Sequence, residues 1–194
     1  MRASTIGVIA SSRVTAAPSA TPLLYYQVDG FTISTNNLTS TKGGATAVAR
    51  KVGDATTSTL ALKTFEVGYD ATWSGEIAFG LGTPNYAGAG FNALEFAIYC
   101  PSNRALQSKV TTGGSATSLG YTLPASSTSK LRVRAVEDTT FWRVFFERSI
   151  DSGATWTVIN TGGTLSAIAK TTPVYGLVIA FSTATIFKDI KGDA

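Results

Sequence analysis

The sequence predicts an all-β protein, an antiparallel two-sheet β-sandwich with an extended N-terminal arm. Short apolar stretches of strand length recur at regular spacing along its 194 residues, as they do in β-sandwiches. No window shows the sustained apolar period of about 3.6 residues that marks an amphipathic helix. A chain of this length, with 44% apolar residues, buries enough surface to fold without disulfides or a metal.

Each candidate strand is bounded by Gly, Asn, Asp, Ser or Pro, the residues that turns require. We expect strands near residues 23–28, 45–52, 59–70, 75–82, 92–100, 106–111, 130–137, 141–149, 155–160, 174–181 and 184–190. Residues 1–22 are rich in Ala, Ser and Thr and lack this pattern. We therefore divide the chain into an extended arm, residues 1–22, and a sandwich domain, residues 23–194.

Alternating side chains predict which faces of these strands are buried. Phe65, Val67 and Tyr69 alternate with polar or small residues, and the alternation resumes at Ile77 after a Ser–Gly turn. We expect these two strands to pair as a half-buried hairpin. The last two strands are likewise expected to form a closing pair. On the strand near 92–100, the side chains expected to face the core are Leu94, Phe96, Ile98 and Cys100.

The strands near 130–137 and 141–149 are expected to pair around a turn centred on Asp138 and Thr139, which determines the register of both faces. That register places Val133 opposite Val144 on the core face. On the other face it sets Arg134 opposite Arg143. Lys130 then faces Glu147.

The outer face of this pair collects Arg132, Arg134 and Arg143 around Phe145. Like charges in direct opposition repel, so replacing the three arginines with Ser is expected to stabilise the isolated domain slightly. Such a face either binds an anionic or protein partner or is a solvated surface on which arginine stems cover the ring. The sequence leaves both interpretations open.

The composition removes several kinds of chemistry. The chain has no His, one Cys and one Met, which removes the usual general base, the Ser–His and Cys–His pairs and the commonest metal ligand. Cys100 lies in an apolar run, so we expect a buried, inert thiol. We expect no cofactor and no metal.

The charge and the length of the apolar stretches argue against nucleic acid and membrane as partners. The net charge of +4 comes from only 14% charged residues, without the basic runs of a nucleic-acid-binding tail. No apolar stretch approaches the roughly 20 residues of a membrane span. The N-terminal segment faintly resembles a secretory signal, but Arg13 interrupts it, and we interpret it as an arm. With Arg2 and Arg13 but few large apolar side chains, the arm cannot fold alone, so we expect it to lie on a neighbouring chain or on a sheet edge.

Residues 149–156 match an Asp-box pattern, S-x-D-x-G-x-T-W, at every position. The matching residues are Ser149, Asp151, Gly153, Thr155 and Trp156. The Asp carboxylate is expected to bind backbone N–H groups in the turn, Gly to adopt a positive φ, and Trp to pack under the hairpin. In sialidase-like propellers the box recurs once per blade, away from the active site. The resemblance therefore implies a structural hairpin and no sialidase activity, and Asp151→Ala is expected to affect stability only.

The order of the segments resembles concanavalin A-like jelly rolls, a group that includes legume lectins, laminin-G-like and SPRY-like domains and bacteriophage virion domains. The resemblance is carried by residues 44–50, 62–67, 75–82, 94–99, 130–134, the Asp-box hairpin, 174–180 and 186–190. It implies two antiparallel sheets face to face, one of them concave, with ligands at the concave face or the rim loops.

Hydrolases of that fold carry two catalytic acids on one strand, since one carboxyl donates a proton while the other attacks or stabilises. The comparable strand here has only Glu95. Glu66 and Asp70 lie on the solvent side of their strand by alternation. We therefore expect no catalysis.

About a quarter of the residues are Ser or Thr, and this composition resembles that of bacteriophage virion proteins. It implies a non-enzymatic structural or accessory subunit of a virion, such as a head-decoration, head-fibre or tail-fibre component. Its partners would be other virion proteins and copies of itself.

The alternative is a carbohydrate-binding module or adhesin at a cell surface, in which exposed aromatic side chains such as Tyr99 stack on sugar rings. The best ligand loop is 82–92, whose glycines allow close approach; a hairpin without a ligand explains the same residues. Its candidate glycan-binding residues are Asn85, Tyr86, Phe91 and Asn92.

Overall fold

Fifteen β-strands make up the regular structure of the residues described by the computed structural model, which are 24–34, 37–51, 63–69, 76–82, 94–110, 117–124, 128–160, 163–169 and 175–193. The strands are β1 (Leu24–Asp29), β2 (Phe31–Ser34), β3 (Asn37–Ser40), β4 (Ala45–Lys51), β5 (Thr64–Tyr69), β6 (Ile77–Gly82), β7 (Phe96–Cys100), β8 (Ala105–Lys109), β9 (Thr117–Thr122), β10 (Lys130–Glu137), β11 (Phe141–Ser149), β12 (Thr157–Val158), β13 (Thr164–Ala169), β14 (Tyr175–Ala180) and β15 (Ile186–Asp193). The arm predicted at residues 1–22 lies outside the described residues.

The strands form two antiparallel sheets. Sheet A has the order β1-β4-β14-β6-β7-β8-β9. Sheet B has the order β12-β11-β10-β5-β15-β3-β2, and β13 also pairs with β11. The predicted fold class, an all-β two-sheet sandwich, is confirmed.

The main core lies between the two sheets and is built from the inward side chains of both. The rings of Phe65 on β5 and Phe79 on β6 meet across it, with centroids 6.3 Å apart. A fully buried side chain of this size stabilises the fold by roughly 1.5 to 3 kcal/mol. Burial of the apolar side chains that alternate along the strands therefore supplies most of the driving force for folding. Cys100 is buried here, as expected. Burial raises the pKa of its thiol to about 12, which keeps the sulfur protonated and unreactive at neutral pH.

A second apolar cluster lies on the outer face of sheet A. It consists of Ala78, Leu94, Ala97, Leu177 and Ile179. Because of it, β6 is buried at every position rather than half-buried. The prediction that Leu94 shares the core face of Phe96 was wrong, since Leu94 precedes β7 and packs with Ala97 on the opposite side.

Two predicted strand pairs were wrong. β5 and β6 do not form a hairpin, because β5 pairs with β10 and β15 while β6 pairs with β14 and β7. β14 and β15 also belong to different sheets. The alternation shows which side chains are buried, but it does not show which strand comes next in the sheet. A connection can cross the roughly 10 Å between packed sheets as readily as it can turn back to pair with the preceding strand. The core contact of Phe65 with Phe79 is the result of one such crossing.

Four strands were not predicted from the sequence: β2, β3, β9 and β13. They are short, rich in Ser and Thr, and mostly at or near sheet edges, where burial is too weak to impose a pattern. Conversely, the strand expected near 155–160 is reduced to β12. Beside β12, the Asn160 side chain pairs with the backbone of β11 in place of a strand, accepting from Phe146 N–H at 2.7 Å and donating to Val144 C=O at 2.9 Å.

Candidate interaction surface

The register of β10 and β11 differs by two residues from the prediction. Arg132 faces Glu147, Arg134 faces Phe145, and Arg143 faces Val136. The cause is the turn: Asp138 N–H bonds Phe141 C=O at 3.0 Å, and its carboxylate accepts from the next N–H at 2.7 Å, so Thr139 and Thr140 form the centre. A shift of two residues keeps each side chain on its predicted face.

The predicted repulsion between Arg134 and Arg143 was therefore wrong. Arg132 Nε lies 2.6 Å from Glu147 Oε2, and Arg134 Nη2 lies 2.7 Å from Glu147 Oε1. The Glu147 side chain is only 4% exposed. Replacing the arginines with Ser would leave this buried carboxylate unpaired, so the triple change should destabilise the domain rather than stabilise it.

Electrostatics at Glu147 follow from these contacts. Burial raises the pKa of its carboxyl, but hydrogen bonds from Arg134 and Arg132 outweigh that effect, and the net shift is below the ordinary value. The carboxylate is thus ionised at neutral pH and holds two cations at once.

Both arginines also stack on aromatic rings. The guanidinium carbon of Arg132 lies 4.0 Å from the centroid of the Trp156 ring, and that of Arg134 lies 4.4 Å from the centroid of Phe145. Stacking and the shared carboxylate restrict the rotamers of both side chains, so less entropy remains to be lost when a partner binds.

Apolar side chains surround this row. Val136 and Leu165 lie on either side of Arg143, and Val158 faces Glu147. They are exposed by 38%, 50% and 40% respectively. We call the whole surface the arginine–aromatic face; its members are Arg132, Arg134, Arg143, Phe145, Trp156, Val136, Val158 and Leu165.

Arg143 and Lys130 have separate acidic partners. Arg143 Nη2 lies 2.6 Å from Asp138 Oδ2. Lys130 is nearly buried, and its Nζ lies 3.4 Å from Glu66 Oε1 and 3.6 Å from Asp189 Oδ2. Lys130 is therefore not part of an open cationic surface, and Glu66 is engaged in an ion pair. Asp70 lies outside the described residues.

The Ser149–Trp156 turn places Trp156 against Arg132. Asp151 Oδ1 accepts from the Ser149 hydroxyl at 2.6 Å and from Thr155 N–H at 2.9 Å. The Ser149 hydroxyl oxygen in turn accepts from Gly153 N–H at 2.8 Å. Gly153 has a φ of 91°, in the left-handed region that glycine adopts without strain. The turn thus satisfies its own polar groups and directs the Trp156 ring toward sheet B.

We expect Asp151→Ala to lower the melting temperature, because it removes the hydrogen bonds that Asp151 accepts from Ser149 and Thr155. Hydrogen bonds from Ser149 and then Thr155 lower the pKa of Asp151 to about 2. Because this is below the unfolded value of about 3.9, the contribution to stability is full above about pH 4 and is lost as the pH falls toward 2. Thermal melts of both chains should therefore converge over that range. A native melting temperature in the variant across this pH range would contradict a structural role.

The remaining candidate residues fall into two groups. Arg2, Arg13, Asn85, Tyr86, Phe91 and Asn92 lie outside the described residues. Tyr99 is not an open platform for a sugar: its hydroxyl donates to Glu76 Oε2 at 2.9 Å, and its ring packs edge-on against Phe181. Burial, followed by the Glu76 hydrogen bond, raises the pKa of Tyr99 to about 12. Glu95 is 6% exposed.

Within the described ranges, no three Cys, Asp or Glu side chains are arranged to hold a metal ion. No helix in the same part of the chain is long and apolar enough to cross a membrane.

No protein-family model and no curated protein matches the sequence. Among solved structures, a human SPRY domain is similar with a TM-score of 0.58 and 14% identity, covering 83% of this chain and 94% of that one. A GH43 glycoside hydrolase, engineered for endo-xylanase and exo-arabinofuranosidase activity, is similar with a TM-score of 0.53 and 15% identity, covering 98% of this chain but 41% of the enzyme. The carbohydrate-binding module CBM66 of Bacillus subtilis has a TM-score of 0.45 and 11% identity, covering 87% and 95%; it is too remote to argue from.

These likenesses show the fold, and at such low identity they show nothing more. A fold hosts binding domains and enzymes alike, and this chain spans less than half of the hydrolase. The chain shares the two-sheet β-sandwich fold of the SPRY domain and of the matching part of the hydrolase.

Proposed function

We propose that the chain is a non-enzymatic structural or accessory subunit of a bacteriophage-like virion, and that the arginine–aromatic face holds a partner protein. The observation that carries this proposal is the pair of arginines, each stacked on an aromatic ring and both held by the buried Glu147. Arg and aromatic side chains are enriched at protein interfaces and dominate their binding energy.

Charge complementarity indicates a partner with acidic and apolar side chains. The side chains of Arg132, Arg134 and Arg143 are 21%, 33% and 37% exposed, whereas Glu147 is 4% exposed. The cations thus cover the carboxylate, and the surface presents guanidinium edges between exposed apolar groups. A carboxylate of the partner would bind these edges while its apolar side chains cover Val136 and Leu165.

The composition and the arm support assignment to a virion. A hydroxyl-rich, weakly charged chain suits a subunit that persists in a symmetric assembly. An arm with few large apolar side chains gains order chiefly by lying on another surface. Its two arginines have the same charge as the arginine–aromatic face, so the arm would not lie on that face of its own domain.

Particle incorporation tests the proposal. The double variant Arg143→Ser/Leu165→Ser leaves the Glu147 pairs intact, and the truncation of residues 1–20 leaves every described strand intact. We expect both chains to melt near the native temperature, but their content in purified particles should fall at least about tenfold. The matched control Lys42→Ser removes one cation from an exposed pair with Asp29 and should be incorporated normally.

Salt dependence provides the second readout. Binding of the native chain to an acidic partner should weaken as the ionic strength rises. Binding of the double variant, which lacks one of the cations, should depend less on ionic strength. Normal incorporation of both altered chains would overturn the virion proposal. Glycan binding abolished by Tyr86→Ala or Phe91→Ala would then identify the carbohydrate-binding alternative.

A further inference from the structure

Two buried polar atoms at one end of the sandwich have no hydrogen-bond partner. They are Nε of Arg148 and Oγ of Ser129. Ser129 is fully buried, with 0% exposure. Buried donors and acceptors are nearly always satisfied in folded proteins, so each exception requires an explanation.

The strand register brings these two residues together. Arg148 on β11 faces Leu131 on β10, and Leu131 is a core residue. Ser129 directly precedes β10 and is fully buried, so we infer that it lies on the same inner side. Diagonal neighbours on one face of an antiparallel pair lie about 7 to 8 Å apart at Cα, a gap that the long arginine side chain spans.

Arg148 differs from the other arginines of β10 and β11. Arg132, Arg134 and Arg143 each have a carboxylate partner. For Arg148, no described residue places a carboxylate within ion-pairing distance. Its guanidinium carbon instead lies 4.1 Å from the centroid of the Tyr121 ring on β9, and Tyr121 packs against the main core. The cation is thus held between the edge of sheet A and the end of sheet B.

We propose that Arg148 and Ser129 bind a carboxylate or another small oxyanion at this end of the sandwich. An oxyanion accepts from Nε–H and a second N–H of the planar guanidinium, the side-on geometry that arginine offers and lysine lacks. A further oxygen lone pair accepts from the Ser129 hydroxyl. A water molecule would satisfy the hydrogen bonds but would leave the half-buried positive charge uncompensated, whereas an anion does both.

Nitrogen-15 NMR of the full chain tests the site through the Arg148 Nε–H resonance. Sodium acetate and sodium phosphate are titrated separately, with chloride adjusted to hold the ionic strength constant. We expect a saturable shift of this resonance with at least one anion. Ser129→Ala should weaken the affinity. Arg148→Lys keeps the positive charge but removes the paired N–H donors of the guanidinium. It should weaken the binding of acetate or phosphate, measured by calorimetry, at least about tenfold.

Two controls make the outcome specific. Lys42→Gln removes a charge elsewhere and should bind the anion as the native chain does. The Arg143→Ser/Leu165→Ser chain should also bind normally, so this inference and the proposed function fail independently. Absence of a saturable shift with either anion, or equal affinity in Arg148→Lys, would overturn the site.

The source of the anion is settled by a third titrant. A short peptide with a C-terminal Asp offers the same carboxylate chemistry from a protein. Tighter binding of the peptide than of acetate and phosphate identifies a partner's carboxylate as the ligand, and the reverse order identifies a free small anion.

Discussion

Glu147→Gln should destabilise the domain by about 2 to 4 kcal/mol, because it removes the buried charge that holds two arginines. Gln matches the shape of Glu but cannot pair with Arg132 and Arg134 together as an ion. The arginines are partly exposed and regain some hydration, which keeps the loss at the lower end of values for buried pairs. Urea denaturation measures it.

The control for this change is Glu137→Gln, on the neighbouring strand. Glu137 pairs with Lys63 at 3.4 Å, and its side chain is 52% exposed. A surface pair of this kind contributes roughly 0 to 1 kcal/mol. Equal losses from the two changes would show that Glu147 is not the centre of the arginine–aromatic face.

The acid dependence of stability provides an independent check on Glu147. The arginine hydrogen bonds outweigh burial and lower the pKa of this carboxyl in the folded protein. A group with a depressed folded pKa stabilises above its unfolded pKa, about 4.3 for Glu, and this stability is lost as the pH falls through the folded value. The difference between the native chain and Glu147→Gln should therefore shrink below about pH 4.

Gly80→Ala is expected to prevent folding or to cost more than about 4 kcal/mol, the largest effect we predict for one methyl group. A Cβ at this position would lie 1.8 Å from the carbonyl oxygen of Phe96 and 2.8 Å from Cα of Ala97. Both are backbone atoms of β7, paired with β6 in the middle of sheet A, so neither can move without breaking the ladder. Circular dichroism melts of the soluble fraction measure the effect.

Gly44→Ala is the matched control. Gly44 has a φ of 71°, and nothing lies within 4 Å of the position of its Cβ. The change should cost only the left-handed strain of a non-glycine residue, roughly 1 kcal/mol. A similar loss at Gly80 would mean that β6 and β7 separate easily, contrary to their place in the sheet.

Side-chain alternation was sufficient to predict the fold class and most of the core. Phe65, Phe79, Phe96 and Ile98 are buried as their spacing indicates, because a strand that buries one face must place apolar residues at every second position. The same rule assigned Arg132, Arg134 and Arg143 to one outer face. The conformational preferences of Asp and Gly likewise indicated a turn at residues 149–156.

Which strands pair, and in which register, depends on information that no local sequence pattern contains. Alternation has a period of two, so it does not distinguish a register from one shifted by two residues, and only the turn at Asp138 decides between them. It also does not say whether β6 turns back onto β5 or crosses to the other sheet.

The sequence by itself thus determined that this chain is a β-sandwich, which side chains form its core, and that three arginines share a face. The tertiary structure decided the charge relations of that face: Glu147 lies beneath two arginines, and Trp156 reaches Arg132. It also placed Arg148, on the opposite side of β11, against Tyr121 of the other sheet. The physical reason is that burial is a property of each strand, whereas ion pairing and stacking depend on distances between strands that are set by the packing of the whole sandwich.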